Sequence, residues 1–222
     1  MSTSHFPQTR RNTVKRLPKR GDYDRATIYP IIDAALICHV GFVIDGQPYV
    51  IPTIHARHND SLILHGSAAS RMFKHIANGE HICVTVTHVD GLVMARSTFH
   101  SSMNYRSAVV FGRGRLIEEQ QEKLEALAMM TERLVPGRWA DTRQPTPQEL
   151  KGTSVVEIEI ESASAKIRTG PANDDEEDYA LPMWAGVLPV QMHWGQPIDD
   201  PRLAKGIEVP EYIAKVLAAP QA

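Results

Sequence analysis

The chain contains 222 residues with a formal net charge of −2, and 42% of its residues are hydrophobic, an ordinary composition for a soluble globular protein. This charge gives no global attraction to nucleic acid or to a membrane surface, and no apolar run approaches the roughly 18 residues that a membrane-spanning helix needs. The two cysteines, Cys38 and Cys83, lie far apart and do not suit a disulfide scaffold, so we expect a reducing, cytoplasmic location.

The N-terminal segment, residues 1–20, is polar and basic and has no hydrophobic periodicity. It predicts a flexible arm, with nucleic-acid binding as the alternative role. Its cations are not followed by an apolar segment, so it does not have the pattern of a secretory signal. We therefore expect a folded domain over residues 21–195 and a C-terminal extension over residues 196–222.

The next 45 residues predict one helix and three strands. Isoleucines and alanines recur at helical spacing after Asp22 and Asp24, either of which can cap the helix. Three strand-like segments follow, at about 35–44, 47–58 and 61–66, and they are separated by the turn pairs Asp45-Gly46 and Asn59-Asp60. Two short turns between three strands predict an antiparallel meander.

The second half predicts further strands and two helices with clear boundaries. A short helix over 70–78 precedes "HICVTVTHV", which Asp90-Gly91 would turn back into "LVMARS". A long strand over 104–118, an amphipathic helix over 119–135, a helix start at Thr146 and an alternating strand over 154–170 come next. Six or seven strands with few helices predict an α+β protein that is mainly β, built as a small antiparallel, Greek-key-like barrel.

The stretch "HGSAASRMFKHI", residues 65–76, lies between a predicted strand and a predicted helix. Ser67 or Ser70 can cap the helix, which explains one hydroxyl without any ligand. The remaining hydroxyl, Gly66, which lets a ligand approach the backbone, and Arg71, which can fork onto a phosphate, also suit an anion site. The residues alone leave both interpretations open.

Four stretches, in their order along the chain, resemble the pyridoxamine 5'-phosphate oxidase-like, FMN-binding split-barrel superfamily. They are "YDRATIYPIIDAALICHVGFVIDGQPYVIPTIHA", "LHGSAASRMFKHI", "MNYRSAVVFGRGR" and "LPMWAGVLPV", and together they span roughly residues 20–195. The set is most similar to the flavin-nucleotide-binding branch that includes nitroimidazole-resistance proteins. The resemblance implies a split β-barrel with flanking helices that binds FMN at the interface of a homodimer.

The resemblance also implies roles for particular residues. Ser67, Ser70 and Arg71 would hold the FMN phosphate, with Lys74 assisting at longer range. The flavin ring would lie beside Ile51, Pro52 and Thr53, with His65 near the ring or the ribityl chain. Residues contacting the cofactor across the dimer interface would be Asn104, Tyr105, Arg106 and Trp184.

These features predict a flavin-dependent oxidoreductase acting on a small molecule, with His65 as a proton donor. We expect no structural metal, because the sequence lacks the spaced cysteines and histidines of a zinc site. Met72 stands where the oxidases prefer a second cation, and their Arg-x-His substrate motif is absent, so vitamin B6 oxidation is not expected. The alternatives are a haem-binding or haem-degrading protein of the same superfamily and a non-catalytic flavin-binding redox sensor.

Overall fold

The computed structural model describes residues 4–218 and contains eight strands and five α-helices within that range. The helices are α1 (Arg25–Ala34), α2 (Arg71–Ala77), α3 (Gln120–Leu134), α4 (Pro147–Gly152) and α5 (Glu211–Ala218). The strands are β1 (Gly21–Asp22), β2 (Ile37–Ile44), β3 (Gln47–His58), β4 (Ser61–Ser67), β5 (His81–Met94), β6 (Ser102–Leu116), β7 (Thr153–Arg168) and β8 (Gly186–Pro189). No helix among residues 4–218 is long and apolar enough to cross a membrane.

Six of the strands close into an antiparallel barrel. The order is β7-β4-β3-β2-β5-β6, and β6 pairs with β7 again to complete the circle. The two short strands extend this barrel, β1 along β7 and β8 along β5. The predicted mainly-β split barrel with flanking helices is therefore confirmed, with eight strands instead of six or seven.

The predicted meander of β2, β3 and β4 is also confirmed. Asp45 and Gly46 both have positive φ, 50° and 77°, as a two-residue type I′ hairpin requires, and Asn59 in the second turn has φ 52°. Ile37 pairs with Ile54 and Ile44 with Gln47, so β2 and β3 run side by side along the full length of β2.

The turn predicted at Asp90-Gly91 is wrong, because β5 continues through this point as one strand of 14 residues. The register against β6 shifts between Val89 and Gly91, so the chain bends at a β-bulge instead of reversing. A side chain at Gly91 would lie 2.9 Å from Val187 in β8, and the glycine therefore permits close approach of that strand. The proline-rich stretch after residue 181 thus contains a short strand.

The N-terminal segment differs from the predicted flexible arm over the residues that the structure describes. Phe6 is buried against the barrel core, and Arg25 lies 3.9 Å from its ring centre. Asn12 is buried as well, and its Nδ2 donates to the carbonyl of Ala163 in β7 at 2.9 Å. Sequence patterns did not reveal this packing because it depends on one aromatic ring and one amide instead of a periodic apolar face. Residues 1–3 of the predicted arm, and residues 219–222 of the predicted extension, lie outside the described range.

The apolar core has two parts, one on each face of the wall formed by β3, β4 and β7. The larger part fills the barrel and includes Ile28 and Ile32 of α1 and Phe73 and Ile76 of α2. The smaller part lies outside the barrel under α3, where Met130 packs with Ile63 and Val155. Alternate residues of β4 thus face different cores, and this alternation fixes where His65, Gly66 and Ser67 point.

Candidate functional site

The barrel wall opens between β3 and β4 on the side where the flavin site is predicted. The two strands pair only from His55 to His58 of β3, so β3 residues 47–54 run beyond the end of this ladder. Pro52, which pairs with His39 of β2, lies in this divergent part of β3 together with Ile51 and Thr53. The backbone of Ile51–Thr53 therefore borders the opening, as the resemblance implies for strand residues beside a flavin ring.

The turn from β4 into α2 lies beside this opening and carries the predicted phosphate contacts. The hydroxyl of Ser67 accepts a hydrogen bond from the backbone N–H of Ala69, whereas the hydroxyl of Ser70, at the N-cap of α2, makes no capping bond. Arg71 is exposed, and its guanidinium lies 4.9 Å from the ring centre of Tyr49. Within residues 4–218, neither Arg71 nor the exposed Lys74 forms a salt bridge, so both cations are available to an anion.

Gly66 has a packing role that its sequence context did not indicate. A Cβ atom at this position would lie 2.4 Å from Cε2 of Phe73 and 3.0 Å from its Cζ. The ring of Phe73, which fills the barrel from α2, therefore requires a glycine at position 66. The approach of a ligand is not needed to explain this glycine. Met72, noted as a departure from the oxidase pattern, is buried in the same core.

His65 faces away from the barrel interior and lines a cavity of about 320 Å³ under α3. Its Nδ1 atom is buried and has no hydrogen-bond partner within the described residues. Burial lowers the pKa of this imidazole below its ordinary value of 6.5, so the ring is neutral at pH 7. A neutral, unpartnered imidazole is a good ligand and a poor proton donor, and the predicted catalytic role of His65 therefore stays an untested prediction that this environment does not favour.

The rest of the cavity is formed by residues that the sequence analysis did not single out. Leu127, Met130 and Leu134 of α3 form an apolar side, and Trp139 and Arg143 come from the loop between α3 and α4. The helix pattern over 119–135 predicted the apolar face, but only the fold brings it against His65.

Two carboxylates fix the loop that frames this cavity. Glu132 accepts the backbone N–H groups of Gly137 at 2.6 Å and Trp139 at 2.8 Å, which lowers the pKa of its carboxyl. Glu149 of α4 pairs with Arg143, with Nη2 to Oε1 at 2.7 Å, and forms a capping box with Thr146. The guanidinium and the cap together lower the pKa of Glu149 to about 2. The predicted helix start at Thr146 is thereby confirmed.

The predicted interface residues are placed at the other end of the sheet, and several already have partners within the chain. The amide of Asn104 donates to the carbonyl of Gly170 and accepts from Arg168. Arg106 forms a bidentate ion pair with Asp90, which raises the pKa of the guanidinium. Tyr105 pairs with Arg168 across β6 and β7, and Trp184 is 71% exposed. Of these four, only Trp184 is exposed.

The acidic run 173–178 is partly structural. The buried carboxylate of Asp174 accepts the backbone N–H of Arg96 at 3.0 Å and pairs with its guanidinium. This contact brings Asp175 and Asp178 close to His100, with possible ligand atoms of the three residues within 4.8 Å of one another. The cluster has the residue types for a metal ion, and His100 already bonds Asp175 at 3.2 Å.

A model of the pyridoxamine 5'-phosphate oxidase family matches residues 24–167, which include the six barrel strands except the last residue of β7. The chain belongs to this family. A search of curated proteins found no match. Membership explains the split barrel but does not specify the reaction, because one fold hosts many chemistries.

Two solved structures resemble the chain over almost its whole length. The flavocytochrome Anf3 from Azotobacter vinelandii shares 41% identity with a TM-score of 0.88, and 93% of this chain and 96% of that chain are covered. The FAD and haem binding protein from Mycobacterium smegmatis shares 34% identity with a TM-score of 0.85, covering 89% and 97%. A protein described as a 5-nitroimidazole antibiotic resistance protein from Bacteroides thetaiotaomicron, at 24% identity and a TM-score of 0.57 over 66% and 86%, shares the fold.

Proposed function

We propose that this protein is a flavin- and haem-binding oxidoreductase that passes electrons between a reduced donor and a small acceptor. Two relatives with more than 30% identity are a flavocytochrome and an FAD and haem binding protein. The observation that carries the proposal to this chain is His65, whose imidazole has a buried, unpartnered nitrogen at the wall of a largely apolar cavity. The sequence analysis gave flavin binding and haem binding as alternatives, and this proposal combines them in one protein.

The His65 cavity has the features that a haem requires. Iron in b-type proteins is held by neutral histidine, and His65 is kept neutral by burial. The cavity offers apolar side chains from α3 to the macrocycle. The sequence has two cysteines, 45 positions apart, so it lacks the Cys-x-x-Cys-His motif of covalent attachment, and the haem would be bound without a covalent link to the protein.

The corner formed by β3, β4 and α2 has the features that a flavin phosphate requires. Arg71 and Lys74 are three residues apart on the exposed face of α2 and have no carboxylate partner in the described chain, and the hydroxyl of Ser70 is not used as a cap. Two free cations suit the two phosphates of FAD better than the single phosphate of FMN. We therefore favour FAD over the FMN predicted from sequence, in agreement with what the 34% identical relative is named for binding.

The chain's own residues have defined tasks in this proposal. A bound flavin accepts two electrons and a bound haem accepts one, so the pair can couple two-electron donors to one-electron acceptors. Arg71, Lys74 and Ser70 hold the phosphates, and the backbone of Ile51–Thr53 orients the ring beside the opening of the barrel. His65 places its imidazole at the cavity wall, and the apolar residues of α3 exclude water. Because the flavin corner is open in the single chain, we propose a homodimer in which a second copy covers it.

The test of the haem site is an absorbance spectrum of the purified protein reconstituted with haem and FAD. We expect a Soret band and flavin bands in the wild type, and loss of most Soret absorbance per chain in His65→Ala with the flavin bands retained. His58→Ala is the matched control, since it removes an exposed imidazole at the end of β3. An unchanged Soret band in His65→Ala would place the iron elsewhere.

The test of the flavin corner is a titration of the apoprotein with FAD and FMN. Arg71→Ala should weaken flavin binding about 10- to 100-fold, since a hydrogen bond to a charged group contributes roughly 1.5–3 kcal/mol. Lys151→Ala removes a cation from another exposed helix position and should leave the affinity unchanged. Equal affinities for wild type and Arg71→Ala would exclude this corner, and tighter binding of FMN than FAD would restore the sequence prediction.

A further inference from the structure

Residues 190–209 form an exposed strap, held at both of its ends. At its start the N–H of Val190 donates to the carbonyl of Asp90, and beyond its end Tyr212 of α5 bonds Arg138 and Asp141 next to the cavity loop. Within the described residues, the hydrogen bonds of residues 191–209 all stay inside the strap, at turns near Asp200 and Ala204. Among the described residues, the strap is therefore tethered at its two ends, with no hydrogen bond to the barrel between them.

The strap carries large apolar side chains that the rest of the chain leaves exposed. Met192, Trp194 and Ile207 are about half exposed, and Ile198 is 95% exposed. The eleven residues 188–198, "LPVQMHWGQPI", contain no Asp, Glu, Lys or Arg. The centre of a protein interface is typically enriched in methionine and aromatic residues and depleted of charged residues. This segment has that composition, which is not typical of a solvated loop.

A second apolar surface lies on the outside of the barrel. We define the outer wall as the outward side chains Ile37, Val43, Val50 and Ile54 of β2 and β3, of which Val50 is 67% exposed. Strand segments 37–44 and 47–54 contain no charged residue. A groove of about 520 Å³ reaches this wall at Val43 and Val50, and its other side carries the charged residues Arg11 and Glu80.

Gly41 forms the floor of this groove, and its own chain does not require a glycine there. Its φ is not positive, and an added Cβ would meet its nearest neighbour, the carbonyl oxygen of Cys83, at 3.5 Å, which is ordinary contact. Glycine inside a strand weakens the strand and often marks a place where another chain approaches closely. An external occupant of the groove would explain why position 41 is a glycine.

We propose that the strap of one protomer packs on the outer wall of a second copy, with the reciprocal contact made by the two-fold symmetry of the dimer. Both apolar surfaces occur on one chain, as an isologous interface requires. Together the eight named side chains present roughly 780 Å² of exposed apolar area, taking about 170 Å² for a large side chain. Each surface alone lies within the about 300–600 Å² of the largest patch on a typical monomer, and the two together approach the about 800 Å² per partner of a stable dimer. The inference deepens the proposed dimer by naming the two surfaces that form it.

The first experiment measures the oligomeric state of the cofactor-loaded protein by sedimentation at micromolar concentrations. Ile198→Glu in the strap and Gly41→Val in the groove should each raise the dimer dissociation constant by roughly 30-fold or more, as for loss of a central interface contact. Leu17→Glu, at a half-exposed leucine outside both surfaces, is the matched control and should dimerise like the wild type. Circular dichroism shows whether each variant is folded.

The second experiment identifies the contact directly. Ile198→Cys and Val50→Cys chains are purified separately, mixed and oxidised, and we expect a covalent dimer that depends on mixing. A disulfide formed inside the Ile198→Cys, Val50→Cys double variant, with none between mixed chains, would show that the strap closes on its own barrel and would overturn the inference.

The outcomes separate this inference from the proposed function. If the Ile198→Glu and Gly41→Val variants both dimerise as tightly as the wild type, the strap contact is refuted and the proposed dimer stands. A wild-type monomer that binds flavin would refute the dimer and leave the cofactor proposal standing. Loss of flavin in Gly41→Val with an intact dimer would make the groove a cofactor site. Flotation of the wild-type protein with phosphatidylcholine vesicles, abolished by Ile198→Glu, would instead assign the strap to a lipid surface.

Discussion

His55 provides the sharpest test of the electrostatics inside the fold. Its side chain is fully buried at the end of α1, where Nε2 lies 3.0 Å from the carbonyl of Ile32 and Nδ1 has no partner. Nε2 must therefore carry the hydrogen and donate it, and a second proton on Nδ1 would bury an unpaired charge near Arg133. Burial lowers the pKa of His55 to about 4 from its ordinary value of 6.5.

The sign and size of the pH effect follow from this shift. Because the folded pKa lies below the unfolded one, the unfolded chain takes up a proton first as the pH falls, so stability is complete above pH 6.5 and is lost between about 6.5 and 4. At 1.36 kcal/mol per pKa unit, acidification from pH 8 to pH 5 should cost about 2 kcal/mol through this residue, rising to about 3 kcal/mol below pH 4.

The assay is urea unfolding at pH 8 and pH 5 for the wild type and for His55→Gln, whose amide can still donate to Ile32. The loss of stability between the two pH values should be about 2 kcal/mol smaller in the variant, and every other titrating group cancels in this comparison. His58→Gln is the control, because it removes an exposed histidine of the same strand. Equal pH dependence in wild type and His55→Gln, or a His55 pKa near 6.5 by NMR titration, would refute the reasoning.

Three further predictions concern packing and hydrogen bonding. Gly66→Ala should destabilise the fold by roughly 1–3 kcal/mol in urea unfolding, because its methyl group overpacks the core, while Gly152→Ala, with open space around it, should be neutral. Thr146→Ala should cost about 1 kcal/mol through loss of the helix cap, and a change below about 0.3 kcal/mol would show that the capping box contributes little. Asn104→Ala should cost roughly 1–3 kcal/mol because it removes the buried amide that accepts from Arg168 and donates to the carbonyl of Gly170, and an unchanged unfolding midpoint would contradict that network.

Local sequence patterns predicted most of the barrel because each of them expresses a local physical rule. Alternation marks a strand with one buried face, Asp45-Gly46 supplies the two positive φ values of a type I′ turn, and Thr146 with Glu149 satisfies the free N–H groups of a helix start. The Asp-Gly turn signal failed at Asp90-Gly91, where pairing with β6 and β8 keeps β5 continuous. The packing of Phe6 and Asn12 was missed for the same reason, since neither belongs to a periodic pattern.

The features of the candidate site also fall into those that the local sequence predicted and those that only the tertiary structure showed. By itself, the sequence determined that a strand would end in a serine- and arginine-bearing turn before a helix, and that the chain resembles flavin-binding split barrels. Only the tertiary structure decided that Gly66 serves Phe73, that Arg106 is committed to Asp90, and that His65 faces a cavity with Met130 and Trp139. The physical reason is that a turn or a strand depends on a few consecutive residues, whereas the surroundings of a side chain depend on how separate elements pack. Phe73 lies 7 positions from Gly66, Asp90 lies 16 from Arg106 and Met130 lies 65 from His65, and only the folded barrel brings each pair together.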